Sequence, residues 1–473
     1  MPAECALRTT TFITGLSRFD FDFGLGFYTC PCMSYAAAIS ELNAMVAELY
    51  SGTGQPRRKF SLEEIRILLG VLGNPQRSFP SVLIAGTNGK GSTAATLATI
   101  LSASGLHTGL YTSPHLARPN ERIRMDGVEI ADDDFARLYF RVHDAAQQLV
   151  LDGGLTQMPS YFEILTALAL VHFAEANAQI AVLEVGMGGR LDATNVVDPL
   201  MSIITDISLD HMEWLGSTIS AIAREKAGIL RRGGTMVTLP QHPEANQVLG
   251  GVATELGVHG VSAAAYVPGI DVAGSYTVEA LATQILVDSP LAGAHQHRNL
   301  ALAIAAAVEL AKSHGLPITP VSIATGIRET RWPGRLERIE RRGVEWILDV
   351  AHNPAGAWAL RAGVRGAVGF KEPRTLIFSC LRDKPVAEMA QILFPMFQRV
   401  ILAPIHAARA AAMDNLLAAA KPTGTLAVAA ESVSKALELA EKDAGGGAVV
   451  VSGSVYLVGE VRTLLLGTEG VQA

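Results

Sequence analysis

With 473 residues the chain is too long for one hydrophobic core, and two or three domains are expected. Apolar residues make up 49% and charged residues 18%, the balance of a folded α/β enzyme and not of a disordered chain; a formal net charge of −7 argues against a nucleic-acid partner and leaves room only for a local basic groove. The four cysteines (Cys5, Cys30, Cys32, Cys380) form no C-x-x-C pair and no run of 18 apolar residues occurs, so no zinc site, disulfide framework or membrane span is indicated and a reducing cytoplasm is expected.

Residues 1–33 hold three of those cysteines and the aromatic stretch Phe19–Tyr28, without periodicity and without the basic start of a signal peptide. They are expected to be a disordered or artefactual extension, and Met33 reads as the more natural start. Residues 34–50 space Ala, Ile, Leu and Met helically, and Ser61-Leu62-Glu63-Glu64 opens a second helix with a capping-type start. Val82–Ala85 then runs as a strand into Gly86-Thr87-Asn88-Gly89-Lys90-Gly91-Ser92, followed by an Ala/Thr/Leu helix. Strand, glycine loop and helix N-terminus together make a phosphate cradle. Glycines let backbone N–H groups crowd an oxyanion, and the helix start adds orphan donors and a positive dipole end. Lys90 would reach the β/γ-phosphates, and Ser92 or Thr93 would offer an oxygen to Mg2+. The spacing departs from the common P-loop, because Gly91 separates Lys90 from Ser92 and only two residues separate Gly86 from Gly89. An ordinary strand-to-helix turn rich in glycine is the competing reading.

His107–Tyr111 reads as a short strand ending in Thr112-Ser113-Pro114-His115. The polar residues 118–129 are either a solvated loop or a substrate-facing one, since Ser113 falls just past a strand end, where open α/β sheets put their chemistry. An apolar helix runs from Ser160 through Phe173. Ile180–Gly186 is a buried strand with Glu184 near its C-terminal end, a carboxylate expected to be paired or metal-bound. Met187–Asn195 is a second glycine-rich loop. Met201–Asp206 follows as a strand, then Asp210-His211, then a helix over 217–229 carrying Arg224, Glu225 and Lys226. Glu184 and His211 are thus expected to close two neighbouring parallel strands beside the glycine loop. A carboxylate, a hydroxyl, an imidazole and phosphate oxygens there would suit a hard cation; a core histidine that only hydrogen-bonds is the alternative.

Residues 240–290 give weaker strand signals, such as Gln284–Asp288, before Ala294–Asn299 caps a long Ala-rich helix over 300–313. Pro and Gly in 329–335 mark a boundary. Strands Glu345–Val350, Thr375–Cys380, Arg399–Ala403, Thr425–Ala429 and Ala448–Ser452 then alternate with helices as a second doubly wound sheet. The fold class expected is α/β. An N-terminal P-loop-type ATP-binding domain with a parallel central sheet covers 34–330, and a C-terminal Rossmann-like doubly wound domain covers 331–473. The second domain's loops are chemical too: Asp349-Val350-Ala351-His352-Asn353-Pro354, Arg382-Asp383-Lys384 and Ser452-Gly453-Ser454.

The motifs run in one order across 34–473: GTNGKGS at 86–92, TSPHL at 112–116, ERI at 121–123, YFE at 161–163, EVGMGGRLDATN at 184–195, LDH at 209–211, AREKAGI at 223–229, HQHRN at 295–299, WPGRLE at 332–337, LDVAHNP at 348–354 and SGSVYLVGEV at 452–461. This set resembles the folylpolyglutamate synthase and dihydrofolate synthase family, a branch of the Mur ligase superfamily. The glycine loop alone would not separate this branch from cell-wall ligases; EVGMGGRLDATN with AHNP and the last block does. Val350 departs from the family's usual Gly, which would tighten that loop slightly and leaves Asp349 and His352 in place.

The resemblance implies an ATP-dependent amide ligase. A pterin carboxylate takes the γ-phosphoryl group to become an acyl phosphate, and the amine of L-glutamate displaces phosphate, with dihydropteroate and then folates as acceptors. The chemistry is consistent, because carboxylate is a poor electrophile and phosphorylation supplies a leaving group, which leaves positioning and charge neutralisation to the protein. By resemblance, Thr87, Asn88, Gly89, Lys90, Gly91 and Ser92 hold the ATP phosphates, with Ser92 near one Mg2+. Ser113, Glu184 and His211 would hold a second, joined by Lys226 once CO2 has carbamylated it; without the motif match, Lys226 reads as part of a solvated helix face. Asn299, Arg335, Asp349 and His352 would bind nucleotide or γ-phosphate at the domain interface, and Lys90, Lys226, Arg335 and His352 form the expected catalytic set. Phe162 would stack on the pterin and Asp192 accept from its amino-pyrimidine edge, although periodicity alone fits Phe162 equally well to the core. A cytoplasmic monomer without nucleic-acid or membrane partners is expected, its reaction gated by domain closure. Three rivals stand beside this reading: a folylpolyglutamate synthase without dihydropteroate activity, a Mur ligase acting on a UDP-muramoyl peptide, and a P-loop switch without ligase chemistry. The second ligand-binding domain argues against the last.

Overall fold

A computed structural model describes residues 33–45, 61–269, 272, 274–366, 373–444 and 447–467. The expected N-terminal extension therefore lies outside the described residues except for Met33, and so does the end of the helix expected over 34–50, which is described as Tyr35–Ala44.

The N-terminal half contributes β1 (Ser81–Ala85), β2 (Thr108–Tyr111), β3 (Ile123–Met125), β4 (Val128–Glu129), β5 (Ile180–Glu184), β6 (Met201–Ile204), β7 (Thr235–Thr238) and β8 (His259–Ser262) to one eight-stranded sheet. Its order is β4-β3-β2-β5-β1-β6-β7-β8, with β2, β5, β1, β6, β7 and β8 parallel and the β3–β4 hairpin antiparallel on the β2 edge. Both faces of the central strands are covered, which is why they are unbroken apolar runs. Leu83, Ala181 and Leu183 join the core under the helices Glu63–Val71, Asp132–Leu151 and Tyr161–Glu175. Val82, Ile84 and Val182 face the other way, under Lys90–Ala103, His295–His314 and Pro320–Glu329. The hairpin β9 (Tyr276–Ala280) and β10 (Thr283–Val287) closes that second core.

The C-terminal half forms a six-stranded sheet from β11 (Glu337–Arg341), β12 (Val344–Leu348), β13 (Pro373–Phe378), β14 (Arg399–Leu402), β15 (Leu426–Ala429) and β16 (Ala448–Ser452), in the order β11-β12-β16-β13-β14-β15. Two α/β domains with mainly parallel sheets result. They meet closely where the helix Val455–Leu466 lies on the loop after β2: a Cβ at Gly459 would sit 1.9 Å from the Leu116 carbonyl oxygen.

Three expectations need correction. First, β5 and β6 are not neighbours, because β1 pairs with both; the glycine loop therefore leaves the sheet between Glu184 and the His211 segment, not beside them. Second, residues 118–129 are not one polar loop. Asp126 and Gly127, at φ 50° and 82°, turn a two-residue hairpin between β3 and β4, as Asp-Gly favours. Third, Glu345–Val350 is not the first strand of the second sheet, since β11 precedes it, antiparallel, across a similar turn at Arg342 and Gly343.

Candidate active site

The glycine loop is fixed by close backbone approaches that exclude side chains. A Cβ at Gly86 would sit 1.7 Å from Thr205 Oγ1 beyond β6, and one at Gly89 would sit 2.1 Å from Asn299 Oδ1. Gly89 also has φ 89° as N-cap of the helix that starts at Lys90. The Thr87 and Asn88 amides donate to the Asp206 carbonyl at 2.8 and 3.2 Å, and Arg298 in turn holds the Asp206 carboxylate. Lys90 Nζ touches only the Thr87 carbonyl, at 3.4 Å, and makes no ion pair among the described residues. A buried helix N-terminus with a free ammonium beside it is an anion site. Ser92 is buried in the first turn, and Asn299, also buried, donates to Gln296 Oε1 at 2.8 Å.

The parallel pairing of β2 with β5 brings Ser113 to Glu184, whose Oε2 accepts the Ser113 amide at 3.2 Å. Glu184 is 4% exposed and has no ion pair among the described residues. Burial pushes its pKa up, against the pull of Lys90, the Ser113 amide, Arg335 and Arg122. His211 takes a left-handed conformation, φ 49°, at the start of the short helix Met212–Leu215. Burial lowers its imidazole to about 4 despite the neighbouring Asp210, so it is neutral at pH 7, the form that ligates metals. Lys226 is not on a solvated face: it is 4% exposed, and its Nζ donates to the Gly86 carbonyl at 2.7 Å. Burial, together with the charge of Lys90, brings its amine down to about 7. Among the described residues no three His, Cys, Asp or Glu side chains form a cation cage. Mg2+ generally takes only one or two protein carboxylates plus phosphate oxygens and water. A buried, unpaired Glu184 with a neutral His211 and the Ser113 hydroxyl fits that sparse donor set.

Phe162 and Asp192 are committed to the protein interior. Phe162 is 7% exposed, its ring centroid 6.0 Å from that of Tyr111, and a Cβ at Gly186 would meet its Cζ at 2.6 Å. Asp192 closes its own loop, accepting the Met187 amide at 2.9 Å and the Thr194 hydroxyl at 2.6 Å.

The second domain presents its residues on the loop after β12. Asp349 accepts the Leu336 and Ala351 amides at 3.0 and 2.9 Å, which shapes the turn around Val350. Val350 keeps a negative φ, so the side chain at this position costs no backbone strain. Arg335 has no ion pair among the described residues; burial lowers its basicity, while Asp349 and Glu184 oppose the shift. His352 Nδ1 lies 2.9 Å from the Val350 carbonyl, which places the proton there and leaves Nε2 unprotonated. Burial, with the Lys384 charge, lowers this imidazole to about 4.

Three residues absent from the expected site join the halves. Asp210 Oδ1 accepts Lys384 Nζ at 2.6 Å, and its Oδ2 accepts Asn353 Nδ2 at 3.1 Å, with His352 Nε2 3.7 Å away. Asn353 Nδ2 also donates to Asn88 Oδ1 in the glycine loop at 3.0 Å. The Lys384 and Asp210 side chains are 4% and 8% exposed. Burial would raise the Asp210 carboxyl, but His211, Lys384 and His352 outweigh it and hold it well below the usual range. Since both imidazoles are neutral at pH 7, Lys384 is the lasting counter-ion. Each residue stands at a strand end or in a motif, so its chemistry was visible in the sequence; the pairing, across 174 positions, was not. A cleft of about 1030 Å³, lined by residues of both domains, takes in Arg118, Arg124, Trp332, Arg335, Glu337 and Arg462 among others; none of the cluster residues lines it.

Two family profiles match the chain: the Mur ligase middle domain over residues 84–307, and the glutamate ligase domain of Mur ligases over 334–455. Folylpolyglutamate synthase of Lacticaseibacillus casei is 37% identical over 427 residues, spanning 88% of this chain and 95% of that protein. The dihydrofolate synthase/folylpolyglutamate synthase of Escherichia coli is 33% identical, spanning 85% and 91%. Among solved structures, Mycobacterium tuberculosis folylpolyglutamate synthase complexed with ADP and AMPPCP aligns with a TM-score of 0.79 at 34% identity, covering 86% of this chain and 95% of that one. An Escherichia coli structure in complex with DHPP and ADP aligns at 0.77 and 30% identity, covering 91% and 97%.

Removing the lasting counter-ion strands a buried carboxylate. Lys384→Met is expected to cost about 3–5 kcal/mol of stability, read as a lowered urea midpoint, and a second change, Asp210→Asn, to restore much of it. A single variant as stable as the parent would contradict the pairing.

Proposed function

The chain belongs to the folylpolyglutamate synthase/dihydrofolate synthase family of the Mur ligase superfamily, an ATP-dependent ligase, and from that premise we propose that it joins L-glutamate to dihydropteroate and to folates through an acyl phosphate. One observation carries this reading. Glu184 in the first domain lies within electrostatic reach of both Lys90 and Arg335, and His352 in the second within reach of Lys90, while Lys384 and Asn353 tie Asp210 and Asn88 together. A phosphate-binding switch needs only the first half.

The chemistry follows from these groups. The loop amides and Lys90 bind the β/γ-phosphates of ATP. A substrate carboxylate oxygen attacks the γ-phosphorus, ADP leaves, and Lys90 and Arg335 offset the charge on the transferred group. The glutamate amine then attacks the acyl carbon, and phosphate leaves with the oxygen that had been the carboxylate's. The amine attacks in its neutral form, and His352 is assigned to the nucleotide or γ-phosphate at the domain interface. Mg2+, held by Ser92 and by Ser113, Glu184 and His211, would neutralise phosphate charge and align the groups. Asn299 and Asp349 are assigned to the nucleotide, and Phe162 and Asp192, by resemblance, to the pterin ring and its amino-pyrimidine edge. The two units are inferred to span 34–330 and 331–473. A cytoplasmic monomer is the accompanying expectation; no described helix is long and apolar enough to cross a membrane.

Lys226 is suited to carbamylation. Only a neutral amine attacks CO2, forming an N–C bond and releasing one proton. An amine titrating near 7 is about half neutral at pH 7, whereas an ordinary lysine is neutral roughly once in 2,500. The product is an anion beside the glycine loop, which extends the sparse donor set for a cation.

Two assays test this. ADP release is expected only when ATP, glutamate and a pterin acceptor are all present, with dihydropteroate and tetrahydrofolate each accepted; failure with dihydropteroate alone would leave the folate-only enzyme. Lys226→Ala is expected to abolish ligation, with partial rescue by short carboxylates, and the parent's activity in bicarbonate should rise as pH passes through about 7. Parent-like turnover in Lys226→Ala would remove the carbamate from the account.

A further inference from the structure

Gly91, the residue that breaks the ordinary P-loop spacing, is explained by a residue far along the chain. The helix Pro320–Glu329 runs antiparallel along the helix Lys90–Ala103, and three contacts mark its path. Ser104 Oγ donates to Ser322 Oγ at 2.8 Å. A Cβ at Gly326 would sit 2.4 Å from Ile100 Cα. Beyond the helix end, Trp332 reaches the first turn, where a Cβ at Gly91 would sit 3.0, 3.2 and 3.3 Å from its Nε1, Cζ2 and Cε2. All three are tighter than a side chain ordinarily tolerates.

The indole is held there at a cost. Its Nε1 is buried and has no hydrogen-bond partner among the described residues, a penalty of the kind native structures rarely leave unexplained. The Arg124 guanidinium lies over the ring, 5.5 Å from its centroid, and is itself fixed by Glu129 at 3.1 Å. Two residues later Gly334 takes φ 72°, a conformation that favours glycine and frees the chain to turn. Arg335, the first residue beyond that turn, donates to the Gly334 carbonyl at 3.0 Å and lies within electrostatic reach of Asp349 and Glu184. The linker thus has a fixed end on the phosphate loop, a pivot, and a functional guanidinium, in consecutive order.

We propose that Trp332 is a positioning residue that pins the interdomain linker to Gly91, and so sets the distance between Lys90 and Arg335 across the transferred phosphoryl group. Gly91 is glycine to admit the indole. This rests on the ligase reading above, in which those two cations act on the same group. Trp332 touches no reacting atom; it acts by fixing where Arg335 stands when the domains close.

The test is steady-state ADP release in the full chain, with melting curves to establish the folded fraction. Trp332→Leu is expected to lower kcat by about 10- to 100-fold while leaving the KM for ATP little changed, the pattern of a group misplaced in the transition state only. Trp332→Phe, still an aromatic anchor, should keep most of the parent's kcat. Gly91→Ala should lose kcat through collision with the indole, and Gly91→Ala/Trp332→Phe should recover part of that loss because the ring is smaller at that edge. Parent-like kcat in folded Trp332→Leu would overturn the proposal, as would a double variant whose losses multiply. If Trp332→Leu does not fold, the Gly91→Ala pair decides alone. A parent protein that never releases ADP would count against the ligase reading itself, whereas an active parent with silent variants would count only against the role of Trp332.

Discussion

The bridge from Asp210 to Lys384, Asn353 and His352 is the contact on which the rest of the site depends. Neither domain holds the chemistry alone. One supplies the glycine loop, a buried carboxylate and an imidazole, the other an arginine, a second imidazole and a shaped turn. A buried ion pair contributes little net stability, since desolvation of both charges offsets most of their attraction. What it does supply is register. Asp210 adjoins His211, and Asn353 also grips Asn88, so one cluster aligns the second domain with both the His211 segment and the glycine loop.

Burial organises the electrostatics of the candidate site. It raises Glu184, brings Lys226 down to about 7, and lowers His211 and His352 to about 4. Each group is moved toward its neutral form, as a low-dielectric site demands. Lys90 and Arg335 make no ion pair among the described residues, so both side chains are available where a polyphosphate would lie. That is preorganisation: the charges are fixed before the ligand arrives, and little reorganisation is needed during transfer.

Much of this was legible in the sequence for a plain reason. Strands buried on both faces must be apolar, and strand ends that carry chemistry must be polar, so β1, β5, β12 and β16 and the loops after them were readable. Strand order was not, because β1 lies between β5 and β6 by pairings that periodicity does not encode. The β3–β4 hairpin carries a strong local signal in Asp126-Gly127, but the charged residues around it give the stretch the pattern of a loop. The helix Asp132–Leu151 carries a start signal of its own, three acidic residues in its first turn. At the site, Lys226 would have been dismissed as a surface lysine without the resemblance; the structure buries it. Lys384 and Trp332 act across separations of more than a hundred residues, and nothing local marks the partner of either.

The central claim is that the two halves build one site for phosphoryl transfer to a carboxylate. Its most direct test follows an atom. When dihydropteroate carrying isotopically heavy oxygen in its carboxylate is ligated to glutamate, an acyl-phosphate route must leave one heavy oxygen in the inorganic phosphate released. The account predicts that label, one atom per amide bond formed. Unlabelled phosphate alongside normal amide product would contradict it.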